Sequence, residues 1–72
     1  LIRKRSVSLH GHRTSLSLED AFFSEIHDIA GERGVSLAAL LSEIDDTRAP
    51  DVNLSSAVRL FVLDHLKARS QP

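Results

Sequence analysis

At 72 residues with no Cys, the chain has room for one domain and neither a disulfide nor a thiolate-held metal to stabilise it. A hydrophobic fraction of 42% speaks against disorder, and a net charge of −1 speaks against a uniformly basic protein. No apolar run nears the roughly 18 residues of a membrane helix, so the expectation is a soluble, cytoplasmic protein with no membrane partner.

A domain this short buries only about 60% of the surface its unfolded form exposes, and without a covalent staple the usual remedy is oligomerisation. The chain contains no Met, from which we expect that Leu1 is not the natural start. Charge is segregated along it. Residues 1–18 carry Arg3, Lys4, Arg5 and Arg13 and no acid, whereas residues 19–72 carry 5 basic and 10 acidic side chains. Two N-terminal segments brought together in a symmetric dimer would form a basic stripe on a slightly acidic protein, the footprint of a nucleic-acid partner. The competing reading is a solvated arm whose charge serves only solubility.

Residues 1–12 read as a basic N-terminal arm or accessory strand, with Val7 and Leu9 alternating against Ser6 and Ser8. Gly11, between His10 and His12, permits a positive φ. Two arrangements follow: a hairpin within one chain, or addition of the first segment to the outer edge of an intermolecular ribbon. Residues 13–18 read as the ribbon strand, with Arg13, Ser15 and Ser17 on a polar face and Thr14, Leu16 and Leu18 on an apolar one. Such a strand needs a partner, and the expected partner is the same strand of a second copy.

Helix A is expected over 19–33. Phe22, Ile26, Ile29 and Ala30 make its buried stripe, opposite Glu25, Asp28 and Glu32. Ser17 with Asp20 fits a capping box, a use that competes with any outside contact of the Ser17 hydroxyl. Gly34 suits the left-handed end of this helix. Ser36 caps helix B, expected over 36–46, which carries Leu37, Leu40, Leu41 and Ile44 on one face. Pro50 makes the following segment a loop. Helix C is expected over 54–67. Leu54, Ala57, Val58, Leu60, Phe61, Val62, Leu63 and Leu66 leave it little polar surface, so it is expected between subunits or under the other helices. Residues 68–72 are expected to fray.

Strand, helix, Gly-Val-Ser turn and helix in this order resemble the ribbon-helix-helix DNA-binding family, to which Arc and the methionine repressor belong. The run Lys4 to Glu19, then Gly34-Val35-Ser36-Leu37, then Asn53 to Leu63, is similar to a bacterial subfamily of short proteins with a third helix. The resemblance implies a mainly α, single-domain fold over 1–72, with an N-terminal β-ribbon formed across a homodimer and an additional C-terminal helix. It implies double-stranded DNA as partner, read in the major groove by the ribbon side chains, here Arg13, Ser15 and Ser17. Arg13, able to pair with guanine O6 and N7, would carry most of the discrimination. Phosphate contacts would come from Arg3, Lys4 and Arg5, and from Ser36 and Leu37 at the start of helix B. Asn53 to Arg59 resembles that helix start as well. The Gly34 to Ser36 spacing favours Ser36; if helix C took the role, Ser55 and Ser56 would make the contacts.

No grouping of nucleophile, base and orienting acid stands out and no phosphate loop is present, so an enzyme is not expected. His10 and His12 lack a third ligand at convincing spacing, so neither a metal nor a cofactor is expected. The function expected is that of a dimeric transcriptional repressor or autoregulator, with further assembly on DNA left open. The alternative is a dimerising protein-interaction module, an antitoxin-like adaptor that binds a protein partner.

Overall fold

The two alternating segments fold back on one another. In the computed structural model, which describes residues 1–70, β1 (Ile2–Leu9) pairs antiparallel with β2 (His12–Glu19). The register runs from Leu9 opposite His12 to Ile2 opposite Glu19. His10 (φ 55°) and Gly11 (φ 78°) both adopt the left-handed region, as a two-residue type I′ turn requires. Within the chain, the ribbon strand β2 pairs along one edge with β1, the hairpin arrangement of the two that the sequence allowed. A tight turn brings β1 to β2 at a small loop-closure cost, which favours this local pairing.

Three helices follow: α1 (Asp20–Arg33), α2 (Leu37–Thr47) and α3 (Leu54–Ser70). The start of α1 departs from the expected capping box. Glu19 is the N-cap, with no side-chain bond, and Ser17 stays in β2. Gly34 closes α1 at φ 69°, and Val35 N–H donates to Ala30 O at 3.0 Å. Ser36 caps α2, its Oγ accepting from Ala39 N–H at 3.0 Å. The α2–α3 loop is tied by Arg48, whose Nε donates to Asp45 at 2.8 Å and whose Nη1 donates to Val52 O at 2.7 Å. Asn53 caps α3, its Oδ1 accepting from Ser56 N–H at 2.9 Å. α3 continues through Ser70, past the expected end at 67; Gln71 and Pro72 lie outside the described residues.

The hairpin contributes Leu9, Leu16 and Leu18 to one core. Ile26, Ile29 and Ala30 of α1, Leu40, Leu41 and Ile44 of α2, and Leu54, Val58 and Val62 of α3 complete it. Helix α3 is less enclosed than its composition suggests: Leu60 and Leu63 are about half exposed and Leu66 over a third. One stripe of α3 suffices to cover the hairpin and α2, which leaves its other apolar stripe in solvent.

Candidate nucleic-acid interface

Pleating assigns every hairpin side chain to one of two faces. The inner face holds Leu9, Leu16 and Leu18 against the helices. The outer face holds four cross-strand pairs, Ile2 with Glu19, Lys4 with Ser17, Ser6 with Ser15, and Ser8 with Arg13. The structure thus brings Arg13, Ser15 and Ser17 together as expected from their alternation. It adds Lys4, Ser6 and Ser8, which follow from the weaker alternation of residues 3–9. Arg13 leans across the hairpin and donates from Nη2 to Ser6 Oγ at 2.9 Å. Lys4, Ser6, Ser8, Arg13 and Ser15 are exposed.

Arg3 and Arg5 do not join this face. They stand on the opposite side of β1, where Asp20 at the start of α1 pairs with Arg5 at 3.2 Å and Arg3 at 3.6 Å. Arg5 also stacks on Phe23, 3.8 Å from the ring centroid. Of the three N-terminal cations expected to contact phosphate, Lys4 alone shares the face of Arg13.

Ser36 and Leu37 line a shallow cleft with Asp28 and Glu32 in the corner between α1 and α2. Two carboxylates there oppose the attraction of the α2 dipole for an anion. The start of α3 is placed differently. Ser15 and Ser17 share a cleft with Arg48, Ser55 and Arg59. Ser17 N–H donates to Ser55 Oγ at 2.9 Å, and Arg59 Nη2 donates to Ser17 O at 3.0 Å. Arg59 Nε donates to Glu19 at 3.1 Å. Glu19 is held below its ordinary carboxylate pKa, first by a hydrogen bond from its own backbone N–H and then by Arg59. Ser55 and Arg59 lie 38 and 42 residues from Ser17, and no local pattern announces their contact with β2.

The histidines separate. His10 Nε2 pairs with Asp46 at 2.9 Å, and its ligand atoms lie within 4.8 Å of those of Asp45 and Asp46. Asp45 is engaged by Arg48. His12 is not part of this group. These contacts pin the hairpin turn to the end of α2.

A two-stranded N-terminal sheet with a polar outer face, followed by helices joined through a Gly-Val-Ser corner, invites comparison with known families. The ribbon-helix-helix domain family matches residues 2–66. The chain belongs to this family. Ribbon-helix-helix domains are non-enzymatic folds, typically found in DNA-binding transcription regulators and antitoxins, and they typically dimerise. No curated protein and no solved structure matched the chain significantly. Among the described residues, no helix is long and apolar enough to cross a membrane.

Proposed function

We propose that this ribbon-helix-helix protein is a cytoplasmic, dimeric, sequence-selective DNA-binding protein, a transcriptional repressor or autoregulator without catalytic activity or a required cofactor. The outer face of the hairpin carries this reading. It presents Lys4 and Arg13 among four serines, and Glu19, the acid at its far end, is engaged by Arg59. Arg13 reads guanine, while Ser15 and Ser17 adapt to their neighbouring bases. Lys4 serves the phosphates directly. Arg3 and Arg5 act through the field they share with Asp20, and Ser36 and Leu37 contribute backbone N–H groups at the rim.

The test is selection from random duplex DNA at several salt concentrations. Enrichment of a short palindrome supports a dimeric reader, and the salt slope counts its cations. If Lys4 and Arg13 of two copies each displace one counterion, log K falls with log salt at a slope of about −3.6; with Arg3 and Arg5 added it reaches about −7. Absence of both enrichment and binding refutes the proposal.

A second reading, a dimerising adaptor for a protein partner, is favoured by one observation. Leu60, Leu63 and Leu66 are exposed along α3, where a partner helix or strand would find apolar surface. A chain stripped of Lys4 and Arg13 would keep that activity and lose DNA binding.

A further inference from the structure

The hairpin turn and the end of α2 meet in a group of metal-ligating side chains that the outer face of the hairpin does not use. His10 Nε2 stands 2.9 Å from Asp46 Oδ1, and one ligand atom from each of His10, Asp45 and Asp46 lies within 4.8 Å of the other two. The carboxylates that complete a set with His10 come from a distant helix, so no spacing in the sequence announces them. Both elements are fixed where they meet. Leu9, next to His10, and Ile44, next to Asp45, are each 4% exposed in the core. Burial thus holds the backbone that carries the ligands, while His10 and Asp46 stay open to solvent and Asp45 is half-buried beside them.

We infer that His10, Asp45 and Asp46 bind a divalent first-row transition ion such as zinc, which clamps the hairpin turn to the end of α2. Asp45 and Asp46 sit in the last turn of a helix that has no basic residue there, at the end where the helix dipole is negative. Arg48 offsets one of the two charges, its Nε lying 2.8 Å from Asp45 Oδ1. A carboxylate has acceptor positions to spare, so Asp45 can hold Arg48 and an ion together, and metal-bound carboxylates commonly keep such a second bond. Among the described residues, Asp46 is paired with His10 alone, which is cationic only when protonated. Nor does the turn account for an imidazole: its first position, at φ 55°, ordinarily takes Asn, Asp or Gly. The imidazole selects the ion. Carboxylates alone suit magnesium or calcium, whereas a nitrogen donor favours zinc, nickel or copper. Zinc with ligands at about 2.0–2.2 Å holds its donor atoms about 3.0–3.6 Å apart, so side-chain rotation closes the set without moving the backbone. Three protein donors leave the exposed side of the ion to water. The ion strengthens a contact already in place and is not a requirement of the fold.

The test uses the chain without an affinity tag, stripped by chelator, with Zn(II) as the probe and Mg(II) as the comparison. Calorimetry should give one zinc ion per chain. Zinc at a hundredfold excess over its dissociation constant should raise the melting temperature by about 10 °C or more. Amide NMR shifts on adding zinc should centre on residues 9–12 and 44–48. His10→Asn puts a residue suited to the turn in place of the imidazole, so the hairpin should persist, which circular dichroism of the metal-free chain verifies. It should weaken zinc binding at least about tenfold, as should Asp46→Asn, which leaves the turn untouched. His12→Ala, His27→Ala and His65→Ala should change it little. Undiminished binding in His10→Asn places the ion elsewhere and overturns the inference. Magnesium bound as tightly as zinc would show carboxylates gathering counterions and overturns it too, as would one ion per two chains or no binding at all. None of these readouts involves DNA, so failure of DNA binding leaves them standing.

Discussion

Leu16→Ala and Leu63→Ala make a pair of perturbations that measures how far one chain completes its own core. Leu16 is fully enclosed between the hairpin and the helices, whereas Leu63 on α3 is 49% exposed. Truncating an enclosed leucine costs about 2–5 kcal/mol, the transfer of the lost methyl groups plus the cavity they leave. A domain of this length has a net stability of about 4–11 kcal/mol, so a loss near 3 kcal/mol removes a large share of it. At about 4–8 °C per kcal/mol, the Leu16→Ala melting temperature should fall by about 12–24 °C. Leu63 is already half wet and leaves no closed cavity, so its truncation should cost about 1 kcal/mol or less. Thermal and urea melts followed by circular dichroism, repeated over a wide range of chain concentration, give both numbers. Equal costs for the two variants at every concentration would refute the placement of α3 and the reasoning from exposure. A Leu63→Ala cost that grows with concentration would show that second copies cover that stripe.

Arg13→Ala should weaken the preferred DNA site by about 1–3 kcal/mol and flatten the preference at one base position, read by competition binding. An unchanged preference among sequences removes Arg13 as a reader. Gly11→Ala meets no atom within 4 Å but must hold φ 78°, so it should cost about 1–2 kcal/mol in melts through backbone strain alone. Glu19→Gln should lower stability at neutral pH. Because the folded pKa of Glu19 lies below its ordinary value of 4.5, the difference from wild type should persist above that value and close as pH falls through the lowered one. A gap unchanged in acid would show that the ionised carboxylate is not what Arg59 holds.

Much of this architecture is legible in the chain because it rests on local signals. The alternation of Arg13 to Leu18, the Phe22-Ile26-Ile29 stripe, Gly34 and the Ser36 cap each act within a few residues of their own position. What is not legible depends on choices among equivalent partners. An edge strand offers the same backbone groups to β1 of its own chain as to a second copy, and the pattern of side chains is compatible with both. Helix α3 carries apolar residues round most of its circumference, so composition cannot say which stripe faces the core; the structure uses Leu54, Val58 and Val62. The Ser17 contacts with Ser55 and Arg59 join residues whose spacing obeys no period. They displace Ser17 from the expected capping box, since its backbone is committed to the strand and to α3.

The same pleat explains how a slightly acidic protein presents a cationic face. Three cations follow one another at Arg3, Lys4 and Arg5, yet neighbours on a strand point to opposite sides. Arg3 and Arg5 turn toward Asp20, and Lys4 turns outward to join Arg13. A slip of β1 by one residue would reverse this division and would also expel Val7 and Leu9 from the inner face. Two features oppose the slip. The His10-Gly11 turn admits one register, and burial of Leu9 against the helices penalises the other. His10 gains a further restraint from Asp46, which fastens the turn to α2. The charge of the outer face is therefore set by turn geometry and core burial, far from the residues that carry it.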